Sequence, residues 1–265
     1  MKIDLKDKIT RFVVQEYVNK ICNYFNEEDL NFNIHKLIHT FDVVQMAQKL
    51  INLSKPSLSL KLQKQILNAS VLHDLGRCHE FKDGVRLKNI DHGKIGSELI
   101  QKEFPKLNVE IQSTFYHNKL PSDKDPSFCY PVLDYVRDAD MLANIEYEIE
   151  HIDVFMVHIF DTNFQDIAIP IIDDEIFQAV SEKRSVCIDR IKEKTLLTHF
   201  LWQLCWCFNL RTVAAKEFVR NTRLFEQFRE MVCEKIVPMT TSDKKVQTKL
   251  KNIIHQNFSD ELFYR

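Results

Sequence analysis

Apolar residues recur every three to four positions along most of this chain, and that spacing admits few architectures other than packed helices. Ile9, Phe12, Val13, Tyr17 and Ile21 form one stripe, and Ile34, Leu37, Ile38, Phe41, Val44 and Ala47 form another. Glycine and proline number only 4 and 7 in 265 residues, too few for the tight turns of an all-β fold. The periodicity predicts helices over about 8–25, 34–52, 60–75, 92–103, 108–118, 131–148, 150–160, 173–183, 186–209, 212–219 and 222–236. Surface connectors are expected at 119–130 and 161–170, and a polar stretch from Pro238 to Lys245 before a short last helix. With no internal repeat, low-complexity tract or long linker, the chain reads as one all-α domain over 1–265.

Charge and cysteine usage exclude several classes. The formal charge of −2 gives no broad electrostatic reason to bind nucleic acid or an anionic membrane. Seven cysteines form no CxxC pair, which fits free thiols in a reducing compartment. The first residues, Met1 to Lys8, lack the apolar core of a secretory signal. The longest uncharged run, between Lys194 and Arg211, carries His199, Gln203 and Asn209 and is short for a membrane span. It is expected to be a buried helix, with Phe200, Trp202, Trp206 and Phe208 as core and not as a platform for stacking a base. A cytoplasmic protein follows as the default.

Ionisable residues interrupt the apolar stripes at particular places. Leu62, Ile66 and Ala69 lead to His73, where Leu or Ile would be expected, and Asp74 follows at once. Gly76 is placed to end that helix through a positive φ. Burying such a pair costs several kcal/mol unless something compensates, and a divalent cation does so. Asp140 falls on the stripe of Val132, Leu133, Val136 and Ala143. Asp138, two residues away, is roughly 200° around the helix and is expected to face elsewhere, either solvated or as a carboxylate behind the ligands. His39 lies beside the stripe of the second helix, His92 opens a helix on its inward side, and His117 ends one. Each histidine alone is more often a satisfied interior or helix-end residue. Four histidines and two aspartates at such positions are better explained by one shared metal site. The donors are nitrogen and oxygen with no thiolate. That set suits Mn²⁺ or Fe²⁺ first, then Co²⁺, Mg²⁺, Zn²⁺ or Ni²⁺.

The order His39, His73-Asp74, Asp140 resembles the HD superfamily of metal-dependent phosphohydrolases. The strings His73-Asp74-Leu75-Gly76-Arg77 with Glu80-Phe81, Asp91-His92, His117-Asn118-Lys119 and Arg137-Asp138-Ala139-Asp140 look like a bacterial group of poorly defined activity. The resemblance covers roughly residues 36 to 145. It implies an HD helical bundle over about 30–145 with a helical extension, about 146–265, packed on it. His39, His73, Asp74 and Asp140 match the primary ligands. His92 and His117 match the positions for a second metal, bridged by Asp74, giving one or two metals per chain. Arg77 stands where many binuclear members have lysine, and Tyr116-His117 where they have two histidines. The cyclic-di-GMP phosphodiesterase signature and a paired alarmone synthetase unit are both absent from the sequence.

The function so implied is a metal-dependent phosphohydrolase acting on a small phosphorylated metabolite, a nucleotide first. Asp74 would be catalytic, and Arg77 and Lys119 would bind substrate through their cationic heads. Arg137 is expected to be a solvated charge, while Lys88 and Lys94 could widen a basic rim. Two other classes share the ligand pattern: HD-type di-iron oxygenases such as myo-inositol oxygenase, and a non-catalytic ligand sensor.

Overall fold

In a computed structural model the chain is all-α. The description covers residues 7–23, 27–82, 85–87, 90–119, 130–158, 172–184, 186, 190–192 and 195–263. The connectors at 120–129 and 161–170, and Lys88, lie outside it. The chain divides into two compact units, one of Met1–Asn144 with Asp153–Ile159, the other of Ile145–Ile152 with Phe160–Arg265.

The first unit contains α1 (Lys8–Asn23), α2 (Glu27–Leu53), α3 (Leu60–Leu72), α4 (His92–Glu103), α5 (Asn108–Tyr116) and the first part of α6 (Val132–His158). A 3₁₀ turn, Leu75–His79, follows α3, and Phe81–Lys82 pairs antiparallel with Val85–Arg86. Helix starts follow capping chemistry: the Ser59 side chain accepts from Leu62 N and the Asp91 side chain from Lys94 N. Ile9, Val13 and Tyr17 of α1 bury against Val71, Leu72, Leu75, Cys78, Ile100 and Ile111. This apolar cluster supports the turn that carries His73 and Asp74.

The stripe on α2 differs from expectation. Ile34 and Ile38 are exposed, whereas Asn33, His39, Thr40, Val43, Met46, Ala47 and Leu50 are buried. The buried face is thus rotated from the Ile34–Ile38 edge and includes His39 itself. Gly76 also acts differently. Its φ is not positive, and it sits inside the 3₁₀ turn without ending α3. A Cβ there would lie 2.0 Å from the His92 carbonyl oxygen and 2.9 Å from Gly96 N, so its lack of a side chain lets the turn press onto the start of α4. The two helices expected at 131–148 and 150–160 are the two arms of α6, which meet at a kink at His151, whose φ and ψ of −127° and 25° are not helical.

The second unit contains α7 (Asp174–Glu182), α8 (Leu196–Leu204), α9 (Val213–Thr222), α10 (Leu224–Met231), α11 (Val237–Thr240), α12 (Lys244–Asn257) and α13 (Asp260–Phe263). The helix expected from 186 begins at Leu196, where the Thr195 side chain accepts from Thr198 N, and tightens into a 3₁₀ turn over Cys205–Asn209. Helix α10 runs through a π turn, Val232–Ile236, into α11, so Pro238 lies in a continuous helical stretch just after that turn, and α12 is 14 residues long. Phe200, Phe225, Phe228 and Phe258 are fully buried, with the Phe200 and Phe228 rings 6.0 Å apart. Trp202 donates to the Val186 carbonyl at 2.9 Å. Among the described residues the cysteines are free, and no helix is long and apolar enough to cross a membrane.

Candidate metal centre

Five stretches of the first unit bring the ionisable residues together. His39 comes from the middle of α2, and His73 and Asp74 from the turn that ends α3. His92 is the first residue of α4, His117 follows the last residue of α5, and Asp140 lies on α6. Helix ends deliver four of these six residues, because a side chain there can enter a pocket without displacing a core residue. His39, His73, Asp74, His92 and His117 are all buried. Asp140 is less so, its side chain 26% exposed, at the edge of the cluster.

Two three-residue groups can each hold a metal ion, His39–His73–Asp74 and Asp74–His92–His117. Asp74 belongs to both. Its Oδ2 lies 3.9 Å from His39 Nε2 and 3.8 Å from His73 Nε2. Its Oδ1 lies 3.4 Å from His117 Nε2 and 3.5 Å from His92 Nε2. Asp140 Oδ1 stands 3.0 Å from His39 Nε2 and 3.8 Å from His73 Nε2, beside the first group.

Hydrogen bonding fixes which nitrogen can serve as a ligand. His73 Nδ1 donates to the Ser70 carbonyl at 2.7 Å, and His117 Nδ1 donates to the Thr114 carbonyl at the same distance. A carbonyl can only accept, so in each neutral ring Nε2 carries the lone pair. His73 Nε2 is buried without a hydrogen-bond partner. His117 Nε2 faces His92 Nε2 at 3.3 Å and the Asp74 carboxylate at 3.4 Å. Acceptor atoms are therefore crowded against one another, which a divalent cation between them would relieve. The donor set fits such an ion.

Electrostatics keep His73 and His92 neutral and Asp74 ionised. Burial lowers the pKa of His73 to about 4. Burial first, and Arg77 second, lower that of His92 to about 2. Burial alone would raise the pKa of Asp74, but Arg77, His73 and Lys36 hold it well below the usual carboxylate range. The backbone of Asp74 is pinned as well, since the buried Tyr17 hydroxyl donates to its carbonyl at 2.8 Å.

Compared with known proteins, the chain matches no family model, no curated protein and no solved structure.

The flanking charges sit differently from expectation. Arg77 is partly exposed beside the cluster, its Nε 3.3 Å from Asp74 Oδ1 and its Nη1 2.5 Å from Glu80 Oε1. Lys119 lies over the Phe115 ring at 3.7 Å and 3.2 Å from Asp91 Oδ2. Lys94 is exposed. Arg137 is not a solvated charge: it is buried, and its Nη2 donates to the carbonyls of Tyr116 and Lys119. Asp138 is fully buried and does not face solvent.

Three further residues touch the site: Glu80, quoted from the sequence without a role, and Lys36 and Asn144, which the sequence did not single out. Lys36, one turn before His39, places Nζ 3.6 Å from Asp74 Oδ2. Glu80 is buried, with Oε1 3.5 Å from His92 Nδ1. Asn144 donates to Asp140 Oδ1 at 3.0 Å and orients it. The i, i+3 spacing of Lys36 to His39 and the i, i+4 spacing of Asp140 to Asn144 were visible in the sequence as same-face pairs. Nothing in the sequence distinguished them from ordinary surface pairs.

Proposed function

We propose that the cluster is a divalent-metal centre of HD type and that the protein is a phosphohydrolase acting on a small phosphorylated metabolite, a nucleotide first. The observation that carries this reading is the convergence of four imidazoles, from four stretches of chain, on the Asp74 carboxylate, with Asp140 of a fifth stretch beside His39 and His73. His39, His73, Asp74 and Asp140 would hold one metal, and Asp74, His92 and His117 a second, with Mn²⁺ or Fe²⁺ the favoured ions. When bound, a divalent cation supplies an activated water near neutral pH and offsets the charge of phosphoryl oxygens.

The protein groups have separate tasks. Asp74, held by Tyr17 through its carbonyl and by Arg77 through its carboxylate, would serve as a ligand and orient water at the bound ion. Arg77 uses two of its five N–H donors on Asp74 and Glu80, and the rest of its fork binds phosphate. Lys119, about one-third exposed, contributes positive charge at the rim.

The test is metal analysis of the purified protein, coupled to a phosphate-release screen over nucleotides and sugar phosphates with Mn²⁺ under anaerobic conditions. Metal-dependent phosphate release supports the reading. A histidine-rich N/O donor set sharing one carboxylate also suits an iron pair. Oxygen consumption with iron, and no hydrolysis, would therefore assign the centre to oxidation instead.

A further inference from the structure

Asp74 lies between two cations of different kinds. Its Oδ1 faces Arg77 Nε at 3.3 Å, and its Oδ2 faces Lys36 Nζ at 3.6 Å. Arg77 is tied a second time, by Glu80, and a planar guanidinium held at two points is fixed in place. Among the described residues the Lys36 ammonium forms an ion pair with Asp74 alone. Its side chain is 15% exposed and sits on a flexible four-carbon stem. Lys36 is thus the movable cation of the two.

Its position is specific. Oδ2 is the Asp74 oxygen that faces His39 and His73, at 3.9 and 3.8 Å, so a cation among those three residues would take the same oxygen that Lys36 now holds. A divalent ion at that oxygen would repel the ammonium, and the flexible lysine stem lets it withdraw where the doubly held Arg77 guanidinium cannot. Displaced, it stays tethered by α2 at the pocket with its three donors turned to any anion there.

We propose that Lys36 is a positioning residue that couples metal and substrate: its ammonium holds Asp74 Oδ2 in the metal-free site and, once a divalent cation takes that oxygen, moves to the phosphoryl oxygens of the substrate. This rests on the cluster being a metal centre that receives a phosphorylated ligand. Metal and phosphate then bind with positive coupling, and the coupling is reciprocal.

The experiment is calorimetric titration of Mn²⁺ into the metal-free protein, then of inorganic phosphate into the Mn²⁺-loaded protein. It compares wild type, Lys36→Met, Lys36→Gln and Lys36→Arg. Removing the competing charge should tighten Mn²⁺ binding in the Met and Gln variants and weaken phosphate binding. Each change should be about 10- to 100-fold, the range of a charge-assisted contact. Lys36→Arg keeps the counter-charge to Asp74 and should show no tightening for Mn²⁺. A lysine that merely braces Asp74 would give weaker or unchanged Mn²⁺ binding on removal, and unchanged phosphate binding. Either result, in a wild type that does bind Mn²⁺, overturns the coupling while leaving the metal centre standing. A wild type that takes up no Mn²⁺ removes the metal centre and the coupling with it.

Discussion

Arg137 on α6 and Tyr116 at the end of α5 are joined by a 2.8 Å hydrogen bond from the guanidinium Nη2 to the backbone carbonyl. The same nitrogen donates to the Lys119 carbonyl at 2.9 Å. The short stretch that carries His117 is therefore held on both sides by one buried arginine. That explains how a histidine just past a helix end can be placed reproducibly.

Arg137→Ala should strand those two carbonyls. Leaving a buried acceptor unpaired costs about 1–3 kcal/mol, so a clear drop in thermal midpoint is expected. Metal affinity at the His92–His117 side should fall with it. A variant with wild-type Tm and wild-type metal content would show that Arg137 is not needed to hold His117.

Asp74 serves both three-residue groups, whereas His117 serves one. Asp74→Asn should therefore abolish metal uptake altogether, while His117→Ala should lower a two-metal protein to about one metal per chain. Elemental analysis after manganese saturation reads this directly. Equal metal content in the two variants would mean that the groups are not separate sites.

Gly76→Ala should be among the most damaging small substitutions in the first unit. The added methyl meets the His92 carbonyl at 2.0 Å, a backbone atom that cannot step aside. A loss of about 3 kcal/mol or more is expected, the upper range for overpacking. Chemical denaturation monitored by far-UV circular dichroism measures it, and a loss below about 1 kcal/mol would contradict the packing described.

Asp138 and Asp140 should separate by phenotype. Asp138→Asn changes a fully buried carboxylate, and its main effect should be on stability. Asp140→Asn acts at the cluster edge, 3.0 Å from His39, and should weaken metal binding about tenfold or more with little change in Tm. The reverse assignment of the two effects would place the ligand at 138.

The buried cluster of histidines and aspartates was legible because ionisable residues broke apolar stripes, which physical chemistry penalises unless something compensates them. His73 followed from the spacing of Leu62, Ile66 and Ala69. His92 and His117 followed from their places at a helix start and a helix end. Of the two settings expected for Asp138 the solvated one failed, because one stripe does not imply a solvated opposite side. In fact Val136, Arg137, Asp138 and Ala139 are all buried, so α6 is covered on every side there. Ile34 and Ile38 were misread because an apolar side chain on a helix does not say which neighbour, if any, will cover it. Lys36, Glu80 and Arg137 act through partners 38, 12 and 21 positions away, at Asp74, His92 and Tyr116, and such pairings exist only once the helices are packed. The all-α class was readable from periodicity and from scarce glycine and proline. The break expected after 148 falls beside the kink at His151, whereas the late start of α8 depends on local geometry that periodicity does not encode.

The donors span residues 39 to 140, so no short fragment of the chain holds them all. An ion that binds only the assembled set acts as a fastener across α2, α3, α4, α5 and α6. By mass action, ion present at one hundred times its dissociation constant would raise the folding free energy of the first unit by about 2.7 kcal/mol. Resistance to proteolysis would then follow the supply of metal, and the protein's lifetime in a cell would be set partly by how much of that ion is free.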